Sequence, residues 1–256
     1  MLLDEYDRPL RDLRISVTDR CNFRCRYCMP AEVFGPGYRF LQRKDLLTYE
    51  EIEHLAALVA GIGVRKFRLT GGEPLLRQGL EELVMMLSKI EGVDDLAMTT
   101  NGVLLAAYAA KLRRAGLHRV TVSLDALDRK VFGQMNGVGA RVERVLDGIE
   151  QALSEGLGVK INTVVQQGIN ESEILPLVRW GSERDIPVRF IEYMDVGNTN
   201  GWSMDDVVSA EEIREKIGGL SVIPPKNPGD VSKNYRLPAG GEIGIISSVT
   251  EPFCNE

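Results

Sequence analysis

Short apolar or β-branched runs alternate with helical stretches along most of the chain, and this alternation limits the fold more than any other feature. Strand patterns occupy residues 13–18, 64–70, 96–100, 119–124, 159–165 and 188–194, with helical patterns at 49–62, 79–90, 104–115, 142–155 and 171–184 between them. Such alternation predicts an α/β fold, a parallel sheet assembled from right-handed βαβ units. Six units are fewer than the eight that close a full barrel. A partial (β/α)6 barrel is therefore expected, with a doubly wound sheet as the competing topology. After residue 194 the pattern turns to Gly, Asn and Pro, followed by a helix near 210–217 and a hairpin turning at Pro238-Ala239-Gly240-Gly241. The chain is expected to divide into a core over 1–195 and a small C-terminal appendage over 196–256 that covers the open side.

At 256 residues the chain can bury a core without help from a disulfide or metal. Lys and Arg number 31 against 37 Asp and Glu, a net charge of −6, so nucleic acid is not expected as a main partner. No run is long and apolar enough for a membrane span, and the first residues lack the character of an export signal. A cytoplasmic chain is expected, and a homodimer is left open. In that setting clustered cysteines point to metal or redox chemistry rather than to disulfides. His54 and His118 stand far apart within packed segments, which excludes a multi-histidine hydrolase site.

The strands carry a second message. Arg14, Ser16 and Thr18 share one face of the first strand, and Lys66, Arg68 and Thr70 one face of the second. Thr99 and Asn101, then Thr121, Ser123 and Asp125, then Lys160 and Asn162, continue that face. A barrel that only needed to pack would fill its interior with Val, Ile and Leu. A basic, polar interior implies either a wet cavity for an anionic ligand or salt bridges to neighbouring carboxylates. On the sixth strand Arg189 and Met194 have opposite parity, which a bulge near its end would reconcile.

Three cysteines crowd into Cys21-Asn22-Phe23-Arg24-Cys25-Arg26-Tyr27-Cys28, directly after the first strand. Thiolates at this spacing can wrap one face of an iron–sulfur cube and leave one iron without a protein ligand. A structural zinc site would need a fourth ligand, and no histidine or cysteine lies nearby. The loop, with Tyr27 just before its last cysteine, resembles that of the radical S-adenosylmethionine superfamily, whose fold is a partial (β/α)6 barrel. Thr70-Gly71-Gly72-Glu73-Pro74 after the second strand matches that superfamily's second signature. Further motifs narrow the resemblance to the GTP 3′,8-cyclases of molybdenum cofactor biosynthesis. These are Leu13-Arg14-Ile15-Ser16-Val17-Thr18-Asp19-Arg20, Thr99-Thr100-Asn101-Gly102, Val122-Ser123-Leu124-Asp125 and Arg189-Phe190-Ile191-Glu192-Tyr193-Met194.

The resemblance implies residue roles. Cys21, Cys25 and Cys28 would hold a 4Fe-4S cluster, and Tyr27, Gly72, Glu73, Ser123 and Met194 would contact S-adenosylmethionine. Arg14, Lys66, Arg68, Thr99, Lys160 and Arg189 would bind GTP. It also implies removal of hydrogen from C3′ of GTP by a 5′-deoxyadenosyl radical and closure of C3′ onto C8. The cyclised nucleotide would pass to a cyclic pyranopterin monophosphate synthase. Cys254 matches one ligand of the family's second cluster, but the sequence gives it no partner cysteines. The expectation is of a truncated chain that cleaves S-adenosylmethionine and cyclises GTP poorly. The competing readings are a radical enzyme acting on a peptide and a zinc-stabilised binding module.

Overall fold

Polar and apolar side chains alternate through Lys66–Thr70, and that segment is a strand whose Phe67 and Leu69 are buried while Lys66, Arg68 and Thr70 keep some exposure. The same rule places the other strands of the sheet. The computed structural model describes residues 3–5, 8–197, 200–225 and 230–252. Their elements begin with β1 (Asp12–Ser16), α1 (Tyr49–Gly61), β2 (Lys66–Thr70), α2 (Leu80–Ser88), β3 (Asp95–Thr100), α3 (Leu105–Arg114) and β4 (Arg119–Ser123). They continue with α4 (Arg129–Asn136), α5 (Val142–Ser154), β5 (Gly158–Val165), α6 (Ile174–Ser182) and β6 (Val188–Glu192). Last come α7 (Ala210–Ile217), β7 (Ser221–Ile223), β8 (Lys233–Arg236) and β9 (Glu242–Ile246).

Two compact units share these elements. The first comprises residues 1–22, 39–122 and 143–159, the second 23–38, 123–142 and 160–256. In the first, β1, β2, β3 and β4 pair in parallel and in sequence order, with Ile15 beside Leu69, Leu69 beside Met98 and Met98 beside Val120. Helices α1 to α3 and α5 add Ala56, Leu83, Leu87, Leu112 and Ile149 to the buried core. Helix α1 starts where Thr48 and Glu51 cap each other, the Thr48 hydroxyl accepting from Glu51 N–H and the Glu51 carboxylate from Thr48 N–H.

In the second unit β5 and β6 pair in parallel, with Asn162 beside Arg189. The C-terminal strands extend that sheet: β9 lies parallel to β6, β8 antiparallel to β9, and β7 antiparallel to β8. The carboxylate of Glu192, fully buried on β6, ties this tail down. It accepts from Ala210 N–H at the head of α7 and from Val249 and Thr250 N–H, at 2.7 to 2.9 Å, as well as from the Thr250 hydroxyl.

All six expected strands form, and the hairpin turns at 237–241 between β8 and β9. Helix α4 and the short β7 are additions. Strand β6 ends at Glu192, and Met194 lies in the loop beyond it, so the opposite parity of Arg189 and Met194 needs no bulge. Cys254, Asn198 and residues 226–229 lie outside the described residues.

Candidate functional site

The register of the first unit sets Arg14 directly beside Arg68 on the neighbouring strand, both on the polar face. Like charges placed opposite each other destabilise a sheet unless something negative answers them. Arg68 also donates to the Thr121 hydroxyl at 3.4 Å, and Thr121 is the register partner of Thr99. Two other cations on this sheet lie beside carboxylates. Lys66 lies 3.9 Å from Asp12, and Arg119 Nε donates to both oxygens of Asp95 at 2.9 and 3.1 Å. Burial alone would raise the Asp95 carboxyl, but the hydrogen bonds and charge of Arg119 outweigh it and hold the group below its ordinary value.

Gly71-Gly72-Glu73 follows β2 and braces the chain just before Cys21. Gly72 N–H donates to Thr18 O at 2.8 Å and Glu73 N–H to Arg20 O at 2.7 Å. A Cβ on Gly72 would lie 2.2 Å from Arg20 O, and one on Gly71 would lie 2.4 Å from Thr18 O. The glycines are required because backbone meets backbone here. Glu73 is 1 % exposed, and its carboxylate accepts from the Thr100 hydroxyl and Asn101 N–H at 2.7 Å and from Leu75 N–H at 3.1 Å. Burial still pushes this carboxyl up, against the pull of those three donors. Asn101, fixed in this way, extends its amide to Asn22 Oδ1 at 2.7 Å and to within 3.9 Å of Cys21 Sγ.

The second unit carries the rest of the loop. Phe23 packs edge-on against Phe132 of α4, with ring centroids 6.2 Å apart, and Arg24 N–H donates to Asn136 O at 2.9 Å. The turn Cys25–Met29 closes through Met29 N–H to Cys25 O at 2.8 Å. Tyr27 donates its hydroxyl to Asp125 Oδ2 at 2.8 Å, while Val164 N–H donates to Oδ1 at 2.9 Å. Burial pushes Asp125 up to about 6 despite these two donors, and burial together with that carboxylate raises the Tyr27 phenol well above its usual value. Asn170 completes the support by donating to Asp125 O and Val164 O at 2.8 and 2.9 Å. Ser123 ends β4, Lys160 and Arg189 share one face of β5 and β6, and Met194 is exposed.

The donor set fits an iron–sulfur cube. Cys21, Cys25 and Cys28 are in no disulfide, the first two partly accessible and the third exposed. Among the described residues no three ligating side chains converge as a single ion would require. A cube takes each thiolate on a different iron, so its ligands need not converge. His118 has a structural use, its Nδ1 accepting Leu96 N–H at 2.9 Å. Sequence reasoning missed the supports. Asp128 caps the start of α4 with hydrogen bonds from Lys130 and Val131 N–H, and Asn136-Gly137 ends it, both of which are helix-boundary signals. Nothing local in the sequence marks Asn101 or Asn170 as holding residues distant in the chain.

Comparison with known proteins bears directly on this arrangement. Residues 15–181 match the model of the radical SAM superfamily, and residues 186–256 match the family described as Molybdenum Cofactor Synthesis C. A protein of Acidothermus cellulolyticus named GTP 3′,8-cyclase is 52 % identical over 99 % of this chain and 71 % of its own length. One of Staphylococcus haemolyticus with the same name is 48 % identical over 98 % of this chain and 75 % of its own. Among solved structures, Streptococcus suis SuiB bound to S-adenosylmethionine gives a TM-score of 0.63 at 20 % identity, over 76 % of this chain and 43 % of that one. Methylornithine synthase gives 0.61 at 19 %, over 78 % and 58 %. These likenesses establish the fold class, an α/β partial barrel of the radical SAM type.

Proposed function

The chain belongs to the GTP 3′,8-cyclase family of the radical S-adenosylmethionine superfamily, and on that premise we propose how its residues divide the work. The reaction is conversion of GTP to (8S)-3′,8-cyclo-7,8-dihydroguanosine 5′-triphosphate, an isomer of GTP in which C3′ is bonded to C8. The cofactors are a 4Fe-4S cluster and S-adenosylmethionine. When bound, they supply the one-electron chemistry that takes a hydrogen atom from the ribose.

Cys21, Cys25 and Cys28 would hold the cluster. Tyr27, Gly72, Ser123 and Met194 would contact S-adenosylmethionine, while Glu73 acts from beneath by holding Asn101. Arg14, Arg68, Thr99, Lys160 and Arg189 would grip the triphosphate, with Lys66 at its edge. Guanidinium forks answer phosphate oxygens with paired donors, and orienting the ribose is what the protein adds to the cofactors' reactivity. The observation that carries this reading is that Arg14 and Arg68 are register partners on the polar face of the sheet. A polyanion between them turns a repulsion into a binding site.

A cyclic pyranopterin monophosphate synthase would consume the product. Among the described residues no helix is long and apolar enough to cross a membrane. We assign the chain to the cytoplasm because cysteines that hold a redox cluster require a reducing compartment. Anaerobically reconstituted protein given GTP and S-adenosylmethionine should form 5′-deoxyadenosine and a nucleotide of GTP's mass that elutes apart from GTP. Absence of GTP binding in calorimetry, with 5′-deoxyadenosine formed and GTP unchanged, would overturn the assignment of substrate.

A further inference from the structure

We propose that Asn101 tunes the reduction potential of the cluster through a hydrogen bond to the sulfur of Cys21. An amide nitrogen carries two hydrogens, and Asn101 Nδ2 has two acceptors in reach. One is Asn22 Oδ1 at 2.7 Å, and the other is Cys21 Sγ at 3.9 Å, within range for a large, polarisable sulfur acceptor. Its own oxygen is engaged too, accepting Val103 N–H at 3.2 Å, so the orientation of the amide is determined by its partners. The main chain is held from the other side, where Glu73 accepts Asn101 N–H at 2.7 Å. Asn101 is 8 % exposed, which keeps water from competing for its amide.

The electrostatic consequence has a definite sign. Reducing the cluster adds negative charge, part of which resides on the cysteine sulfurs. An N–H aimed at one of those sulfurs stabilises the reduced form and makes the electron easier to accept. The second signature motif thereby acquires a role beyond backbone bracing. Glu73 fixes Asn101, and Asn101 both orders the loop through Asn22 and adjusts the electronics of the first cysteine ligand. Asn101 is a positioning residue in the first respect and a potential-setting one in the second.

The inference rests on the triad holding a cluster, and one experiment separates the two claims. The iron content and midpoint potential of anaerobically reconstituted wild type, Asn101→Ala and Asn22→Ala are measured, the potential by a redox titration followed by electron paramagnetic resonance. Absence of iron from wild type would defeat the cluster reading itself. With iron present, Asn101→Ala should retain its cluster and shift the potential to more negative values. Asn22→Ala loosens the same loop but leaves the donor to sulfur in place, and should shift the potential less. Equal shifts in the two variants, or none in Asn101→Ala, would overturn the proposal. Should Asn101→Ala yield no folded protein, Asn101→Ser keeps an oxygen for Val103 N–H, removes the amide donor, and is held to the same criterion.

Discussion

Cations occur in two groups on the sheet of the first unit, and the groups differ in what lies beside them. Arg119 and Lys66 have carboxylates of the chain itself within reach, Asp95 and Asp12. Arg14 and Arg68 have each other as register neighbours. A salt bridge built into the sheet contributes to folding, so removing one partner lowers stability. A pair of like charges repels, and an anion held between the two offsets that repulsion. Residues that look equivalent in the sequence should therefore separate into those that stabilise the fold and those that serve the ligand.

The sharpest way to break this comparison is Arg68→Ala. Loss of charge-assisted hydrogen bonds worth about 1.5–3 kcal/mol should weaken GTP binding by roughly 10- to 100-fold in calorimetry. The melting temperature of the nucleotide-free protein should change little, because the repulsion removed offsets the hydrogen bond lost to the Thr121 hydroxyl. A large fall in melting temperature with GTP affinity intact would place Arg68 in the structural group instead.

Arg119→Ala should do the reverse. It leaves the Asp95 carboxylate without its Nε donor, and both partners are part-buried. The expected cost is about 1.5 kcal/mol in denaturant unfolding, with GTP affinity changed less than about twofold. The sign of the pH dependence follows from Asp95, whose carboxyl is held below its ordinary value in the folded state. Its contribution is present above the ordinary carboxylate range and is lost as pH falls through the depressed value.

That distinction marks how far the sequence can be read. Alternation along each strand assigns Arg14, Lys66, Arg68 and Thr99 to one face, because side-chain direction repeats every two residues. Which cation meets which carboxylate depends on strand register, and register arises from packing between strands distant in sequence. Asp12 and Asp95 were therefore invisible as partners of Lys66 and Arg119. The same holds for the cysteine loop. The spacing of Cys21, Cys25 and Cys28 announces its chemistry, whereas the supports, Asn101, Asp125 and Asn136, become recognisable only once the chain is folded. Helix α4 escaped notice because its eight residues are short for a periodic pattern, although Asp128 and Gly137 mark its ends.

Asp125 in the second unit is a buried carboxylate with the opposite pH behaviour to Asp95. Its carboxyl is raised from 3.8 to about 6, so the folded state gains protons that the unfolded chain has already lost. Stability of the cluster-free protein from this group is fully present below about pH 4 and declines as pH rises through about 6, by about 3 kcal/mol in total. Asp125→Asn cannot ionise and should flatten that part of the stability–pH curve relative to wild type. An unchanged slope would mean that the carboxylate is better solvated than its surroundings indicate. Tyr27→Phe should extend the decline to higher pH, because it removes one of the two donors that keep the pKa from rising further.

The smallest effect belongs to the residue on which the comparison is most finely balanced. Lys66 stands 3.9 Å from Asp12, with 39 % and 64 % of the two side chains exposed, a geometry that contributes at most about 0.5 kcal/mol. Lys66→Met keeps the aliphatic stem and removes the charge, so stability should hardly move. GTP binding decides the rest. A drop of about threefold or more that fades as salt is added would show the ammonium group reaching the triphosphate, since exposed charge attraction is screened within about 10 Å at moderate ionic strength. No change in affinity at any salt concentration would leave Lys66 with Asp12, on the structural side of the division. The ligand-binding cations of the first unit's sheet would then narrow to Arg14 and Arg68.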